Sequence, residues 1–206
     1  EFWGRCFTIT PDVLDPRPDT ETLVSLALDW LPTGPVNILD LGVGSGCILL
    51  TLLCERPEAQ GIGVDESQSA LDVAMQNATA LGVESRANFI ESNWFSNVPQ
   101  AALFDLIVSN PPYIPSPDID ALEADVRNYD PIGALDGGDD GLDDYRVIIA
   151  SARSMLKPDG GVVFEVGFDQ ADKVLKLLDE AGFAATGFCK DLSGIKRVVY
   201  GRAPSV

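Results

Sequence analysis

Val36-Asn37-Ile38-Leu39-Asp40-Leu41-Gly42-Val43-Gly44-Ser45-Gly46 is the stretch that decides the fold. A short apolar run follows the breaker Pro32-Thr33-Gly34-Pro35, ends in a glycine-rich turn, and gives way to a second apolar stretch, Cys47 to Cys54. That order reads as strand, tight loop, helix. The glycines permit tight turning and let a ligand approach the backbone. A dinucleotide fingerprint needs its third glycine one place after Gly46, where Cys47 stands, so that pattern fails. The shorter loop suits a ligand without a pyrophosphate, as in S-adenosylmethionine enzymes. A loop of this kind can also be a plain structural turn, and the next strand argues for the ligand. Gly61 to Val64 closes on Asp65, about 20 residues past the loop, where a carboxylate can take both ribose hydroxyls.

Working outward, Ser67 to Leu81 carries apolar residues at helical spacing, with Ser67 as N-cap and Gly82 as C-terminal stop. Ala87 to Ile90 and Phe104 to Val108 read as the third and fourth strands. A long loop from Asn110 to about Asp140 follows, with a short helix expected around Ile119 to Val126. Leu142 to Leu156 is expected to be helical, stopped by Lys157-Pro158-Asp159-Gly160-Gly161. Val162 to Val166 then reads as a buried strand, and Gln170 to Ala181 as a helix. Phe183 to Cys189 and Arg197 to Gly201, separated by Ser193-Gly194, resemble an antiparallel hairpin. The alternation predicts a Rossmann-like α/β fold, a doubly wound, mostly parallel seven-stranded sheet with an antiparallel C-terminal strand pair. Residues 1–35 read as a lead-in strand pair and a first helix, Thr20 to Leu31, ahead of a catalytic domain over 36–206.

Asn110-Pro111-Pro112-Tyr113 ends the fourth strand, where an open α/β sheet has its ligand crevice. Proline fixes φ and lacks an N–H, so the turn presents carbonyl oxygens in a preset direction. The Asn110 side-chain oxygen and the Pro111 carbonyl can each accept a hydrogen from one NH2 group, and Tyr113 can cover its flat face. This suggests methyl transfer to a planar nitrogen, although Asn-Pro and Pro-Pro are also ordinary turn punctuation. Asn93-Trp94-Phe95 falls where an adenine would lie, with Trp94 the expected contact and Phe95 more of a core residue. Glu165, inside an apolar strand, must be paired or at a strand end and reads as a structural partner.

Composition narrows the chemistry. The 206 residues are 46% hydrophobic and 22% charged, enough for one packed domain. The chain has no histidine, which removes Ser-His and Cys-His nucleophilic schemes. Cys6, Cys47, Cys54 and Cys189 show no CxxC spacing and read as reduced thiols of a cytoplasmic protein, with no metal site expected. No apolar stretch is long enough to span a bilayer, so no membrane role is expected. The formal charge of -18 repels phosphate backbones and suits a basic protein partner, though acidity also serves solubility alone. The chain starts at Glu1 without methionine, so upstream sequence is expected.

These residues closely resemble the HemK or PrmC type of protein-glutamine methyltransferases, which methylate the Gln of the Gly-Gly-Gln motif in class 1 peptide release factors. The resemblance runs from Phe2-Trp3-Gly4 through Pro16-Arg17-Pro18-Asp19-Thr20-Glu21, Asp40 to Cys47, Val108 to Ile114, Ala134-Leu135-Asp136-Gly137-Gly138 and Asp140 to Asp143, to Arg197-Val198-Val199. The Pro-Arg-Pro-Asp-Thr-Glu stretch favours release-factor enzymes over relatives that modify a ribosomal protein. Asp15 in place of an apolar residue and Asp130-Pro131 in place of Glu-Pro depart from the pattern. The family also carries an N-terminal helical domain, and this chain starts near its junction.

The resemblance implies S-adenosylmethionine as cofactor, held by Gly42, Val43, Gly44, Ser45, Gly46, Asp65, Trp94 and Asn110. It implies a substrate amide held by Asn110, Pro111, Pro112 and Tyr113, with Asn110, Pro111 and Tyr113 catalytic. The expected partner is a class 1 release factor in translation termination, met by a monomer in the cytoplasm. Arg17, Thr20 and Glu21 read equally as pocket rim or as a salt-bridged, capped helix start. The rivals are an adenine amino-methyltransferase on DNA, which presents the same two hydrogens, and a non-catalytic adaptor, which the intact loop, Asp65 and Asn110 motif disfavour. Charge separates the first, because base flipping needs a basic track and 14 Lys and Arg face 32 Asp and Glu. Gel-shift titration with duplex DNA at physiological salt is therefore expected to show no micromolar complex. A salt-sensitive shift would revive the adenine reading.

Overall fold

The computed structural model describes residues 1–122 and 130–204. After helix α1 (Thr20–Trp30) come β1 (Asn37–Leu41), α2 (Cys47–Glu55), β2 (Gln60–Asp65), α3 (Gln68–Ala80), β3 (Ala87–Glu91) and β4 (Phe104–Ser109). The second half holds α4 (Asp143–Met155), β5 (Leu156–Glu165), α5 (Ala171–Glu180), β6 (Ala184–Lys190) and β7 (Lys196–Arg202). The seven strands form one sheet in the order β3-β2-β1-β4-β5-β7-β6. β1 to β5 are parallel, while β7 runs antiparallel to both β5 and β6. The expected doubly wound sheet with its antiparallel end is therefore present, with β7 inserted between β5 and β6.

Parallel strands buried on both faces need apolar residues at successive positions. β1 shows this in Ile38, Leu39 and Leu41, all fully buried. Ile38 packs in a cluster with Leu23, Val24 and Ala27 of α1 and Leu49, Leu50, Leu52 and Leu53 of α2. Leu39 and Leu41 belong to the opposite cluster, with Tyr145 and Ile148 of α4 and Val174 and Leu178 of α5. Successive residues thus feed two cores, one on each side of the sheet. No helix among the described residues is long and apolar enough to cross a membrane.

Local signals held in most places. Ser67 caps α3 by accepting from the Ala70 N–H at 3.2 Å, and Gly82 follows that helix at φ 70°. Three expectations change. Residues 1–19 make a single bridge, Phe2 with Arg5, rather than a strand pair. β5 starts at Leu156 because Leu156 pairs with Phe104 before Lys157 to Gly160 bulge out, Asp159 lying at φ 63°, and pairing resumes at Gly161 with Leu106. The expected helix around Ile119 to Val126 is a 3-10 turn over Ser116–Ala121, and its remainder from 123 on lies outside the described residues.

Arg86 closes the α2 end of the sheet. Its guanidinium donates to the carbonyls of Leu53, Arg56 and Ala59 at 2.8, 3.1 and 2.9 Å, meeting the negative C-terminus of α2. Arg146, in contrast, pairs with Asp140 and Asp143 in solvent. Arg86→Ala is expected to cost about 2 to 3 kcal/mol, because charge-assisted bonds to half-buried carbonyls disappear. Arg146→Ala should cost under about 1 kcal/mol. Urea midpoints of the two variants check this, and equal losses would refute the contrast.

Candidate functional site

At the middle of the sheet the crossover after β1 goes one way and β4 lies on the other side, which opens a crevice at the C-terminal ends of the two strands. A cavity of about 480 Å³ occupies it, within the range of small-molecule sites. Gly42, Val43, Gly44 and Ser45 line it, as do Asp65, Trp94, Asn110 and Pro112. Gly46 does not line the cavity. It sits at φ 81° under Leu50, where it turns the loop into α2. Gly44, at φ 50°, has nothing within 4 Å of where a Cβ would stand, so the loop leaves an open cradle beside its backbone.

Asp65 braces that loop. One carboxylate oxygen accepts the Gly44 N–H at 3.0 Å and the other accepts the Ser67 N–H at 3.0 Å. Burial pushes its pKa up, against the two amide bonds that lower it. Behind the loop Asp40 is fully buried. It accepts the Leu49 N–H at 3.2 Å while its Oδ1 has no partner, and burial keeps its carboxyl well above the usual range.

Trp94 holds a left-handed backbone, φ 48°, which a bulky residue adopts only under surrounding constraint. The Ser92 hydroxyl donates to the Trp94 carbonyl at 2.8 Å, and Asp144 of α4 hydrogen-bonds the Trp94 side chain. Burial pushes Asp144 up to about 6, opposed by that bond. The Trp94 ring lies 3.6 Å from where a Cβ on Gly42 would be, so a side chain there would crowd the indole. Phe95 packs in the core, as expected.

The turn after β4 is held mainly through backbone. The Ile114 N–H donates to Leu135, the Gly137 N–H to Ile114 and the Ser116 N–H to Gly138, all at 2.9 Å. Gly137 is forced by space, since a Cβ there would stand 2.8 Å from the Pro112 carbonyl. Gln170 completes the grip, donating to the carbonyls of Tyr113 and Gly141 at 2.8 and 3.1 Å while accepting the Gly167 N–H. Pro111 is buried and does not line the cavity. Tyr113 differs from expectation: its ring packs against the α4-side core rather than lining the cavity, and burial pushes its phenol up to about 12.

Arg17 and Thr20 line the cavity, while Glu21 turns away to accept the Trp3 N–H at 2.9 Å. Arg17 pairs with Asp130 at 2.7 Å. The rim reading thus holds for Arg17 and Thr20, whereas the start of α1 carries no side-chain cap, since Asp19 makes no cap bond and Glu21 ties the lead-in segment instead. Sequence reasoning missed Gln170, Asp144 and Asn77. Asn77, inside α3, accepts the Thr8 N–H and donates to the carbonyls of Thr8 and Ser45, tying the lead-in segment to the glycine loop. A buried polar residue on a helix gives the sole sequence signal for it. Among the described residues no group of three His, Cys, Asp or Glu is arranged to hold a metal ion.

A family model described as "Methyltransferase small domain" matches residues 20–122. A release factor glutamine methyltransferase of Rhodospirillum rubrum is 51% identical over 98% of this chain and 61% of its own length. One from Cereibacter sphaeroides is 47% identical over 99% of this chain and 72% of its own. The chain thus spans about two thirds of the length of these relatives. The crystal structure of a release factor-specific protein-(glutamine-N5) methyltransferase from Alicyclobacillus acidocaldarius is 32% identical, with TM-score 0.56, over 96% of this chain and 99% of that one. On the strength of these matches, the chain belongs to the release factor glutamine methyltransferase family.

Proposed function

We propose that this chain transfers a methyl group from S-adenosylmethionine to the side-chain amide nitrogen of the glutamine in the Gly-Gly-Gln motif of class 1 peptide release factors. The observation that carries this reading is the meeting of the glycine loop, Asp65, Trp94 and Asn110 in one cavity. Its charge supports the cofactor. Asp12, Asp65, Glu66, Asp136 and Asp144 line it against one guanidinium, Arg17, among the described residues. Such a lining attracts a ligand bearing a sulfonium and an ammonium and repels a pyrophosphate. The names of the relatives support the substrate, and the free thiols suit a reducing cytoplasm.

Bound S-adenosylmethionine supplies an electrophilic methyl group. Gly42 to Ser45 would offer backbone to it, Asp65 would take the ribose hydroxyls and Trp94 would pack on the adenine. A primary amide nitrogen is a poor nucleophile because its lone pair is delocalised, so orientation and electrostatics are the levers. The Asn110 Oδ1 accepts one amide hydrogen, which aims the nitrogen and stabilises the positive charge it gains; the Pro111 carbonyl, outside the cavity lining, would have to turn toward it to accept the other. Tyr113, held from behind by Gln170, steadies the turn; covering the amide plane would require its ring to leave the core. No histidine base is needed before transfer: the nitrogen would gain the methyl as the sulfonium becomes a thioether, and its extra proton would then pass to water. Adenine in DNA offers the same two hydrogens, but the family relatives and the charge of -18 do not favour it.

Calorimetry is expected to show S-adenosylmethionine binding that weakens by about 1.5 to 3 kcal/mol in Asp65→Ala, through loss of charge-assisted bonds. Equal affinity would remove Asp65 from the site. Asn110→Ala should bind cofactor within several-fold of wild type yet transfer labelled methyl to a release factor about 10² to 10³ times more slowly. A variant that melts like wild type and still methylates at an undiminished rate would show that Asn110 does not orient the amide.

A further inference from the structure

Glu165 ends β5 with 1% exposure, and its Oε2 has no hydrogen-bond partner. Side chains alternate along a strand, so its direction follows from its neighbours. Val163 belongs to the core beneath α1 and α2 and Phe164 to the core beneath α4, which turns Glu165 toward the α1 and α2 side. In the parallel ladder Ser109 pairs with Phe164, so the next residues, Asn110 and Glu165, stand side by side at the ends of β4 and β5 on one face. Thr20 of α1 and the Asn110 side chain stand within electrostatic hydrogen-bonding reach of the carboxyl group. Burial raises its pKa to about 7; the Thr20 bond and the Arg197 charge oppose this, Asp19 adds to it, and the Asn110 bond opposes it. Tyr113, Tyr145 and Cys47 are the other titratable groups within its electrostatic reach.

We infer that Glu165 is a positioning residue that decides which way round the Asn110 amide sits. An ionised carboxylate only accepts hydrogen bonds, so it takes the NH2 end of Asn110 and turns Oδ1 toward the cavity. Oδ1 is then the atom free to accept a substrate amide hydrogen. Protonated Glu165 can donate to Oδ1 instead, and the amide loses its fixed sense. Because the ionised form prevails above a pKa of about 7, orientation and rate rise with pH through that region. The orientation rests on geometry, while its catalytic meaning rests on the function proposed above.

Two measurements test it. Single-turnover methylation of a release factor at saturating S-adenosylmethionine should rise about tenfold with pH through about pH 7 in wild type. In Glu165→Gln, whose own NH2 can occupy Oδ1, the rate should be about tenfold lower and flat with pH, with cofactor affinity within about twofold. By NMR, the side-chain NH2 resonances of Asn110, assigned by their loss in Asn110→Ala, should titrate with the same midpoint in wild type and cease to do so in Glu165→Gln. A Glu165→Gln enzyme with the wild-type rate and pH profile overturns the inference. So do wild-type Asn110 resonances that stand still between about pH 6 and about pH 8.5, and this wild-type titration decides alone should Glu165→Gln fail to fold. A wild-type chain whose Asn110 amide titrates but which methylates no release factor overturns the substrate assignment and leaves the Glu165 and Asn110 pairing standing.

Discussion

The Ser109 hydroxyl donates to the Leu41 carbonyl at 2.6 Å, and the site depends on the place where that bond forms. Leu41 is the last residue of β1 and Ser109 the last of β4, paired in the same ladder. One step further along each strand the chain leaves the sheet, into the glycine loop on one side and into Asn110 on the other. The bond satisfies two buried polar groups at the point where ladder hydrogen bonding stops, a position where an unpaired carbonyl is costly. It also sets the spacing between the glycine loop and the Asn110 turn, the segments proposed above to hold cofactor and substrate. Those segments are distant in sequence, and the ends of two central strands bring them together.

Supports around this point share a logic. Polar side chains, Asp65 through N–H groups and Asn77 and Gln170 through C=O groups, hold loop backbone, and buried Asp40 holds the first turn of α2. The loops therefore carry their shape in hydrogen bonds to fixed partners and need no apolar core of their own. Carboxylates dominate the cavity wall; burial raises the pKa values of Asp65 and Asp144, and repulsion from neighbouring carboxylates adds to it. A cationic ligand among these carboxylates favours their ionised forms, which links the charge of the wall to ligand affinity.

What was legible in the sequence was what local physics determines. β1 could be read because both its faces are buried, and α3 because Ser67 and Gly82 mark its ends. The glycine loop, Asp65, Trp94 and Asn110 could be placed because each follows a recognisable strand. The start of β5 could not, since Lys157-Pro158-Asp159-Gly160 looks the same whether it ends a helix or arches out of a ladder; pairing of Leu156 with Phe104 decides it. The position of β7 inside the sheet is likewise a matter of tertiary pairing. Tyr113 was expected to face the substrate from its place in a motif, but its ring goes where apolar contact draws it while Gln170 holds its backbone carbonyl. Gln170 and Asn77 act across 57 and 69 residues, beyond the reach of any spacing rule.

Ile114 and Asp136 form a parallel bridge, and the bonds beside it close the long excursion after β4 at its root. Closure entropy grows only slowly with the number of residues enclosed, about 0.6 kcal/mol for each doubling. Sequence above the root can therefore lengthen, shorten or change composition with little thermodynamic consequence for Asn110 below it. For folding this means that the turn carrying Asn110 is pinned by backbone bonds at the root of the excursion, largely independent of how many residues the excursion encloses.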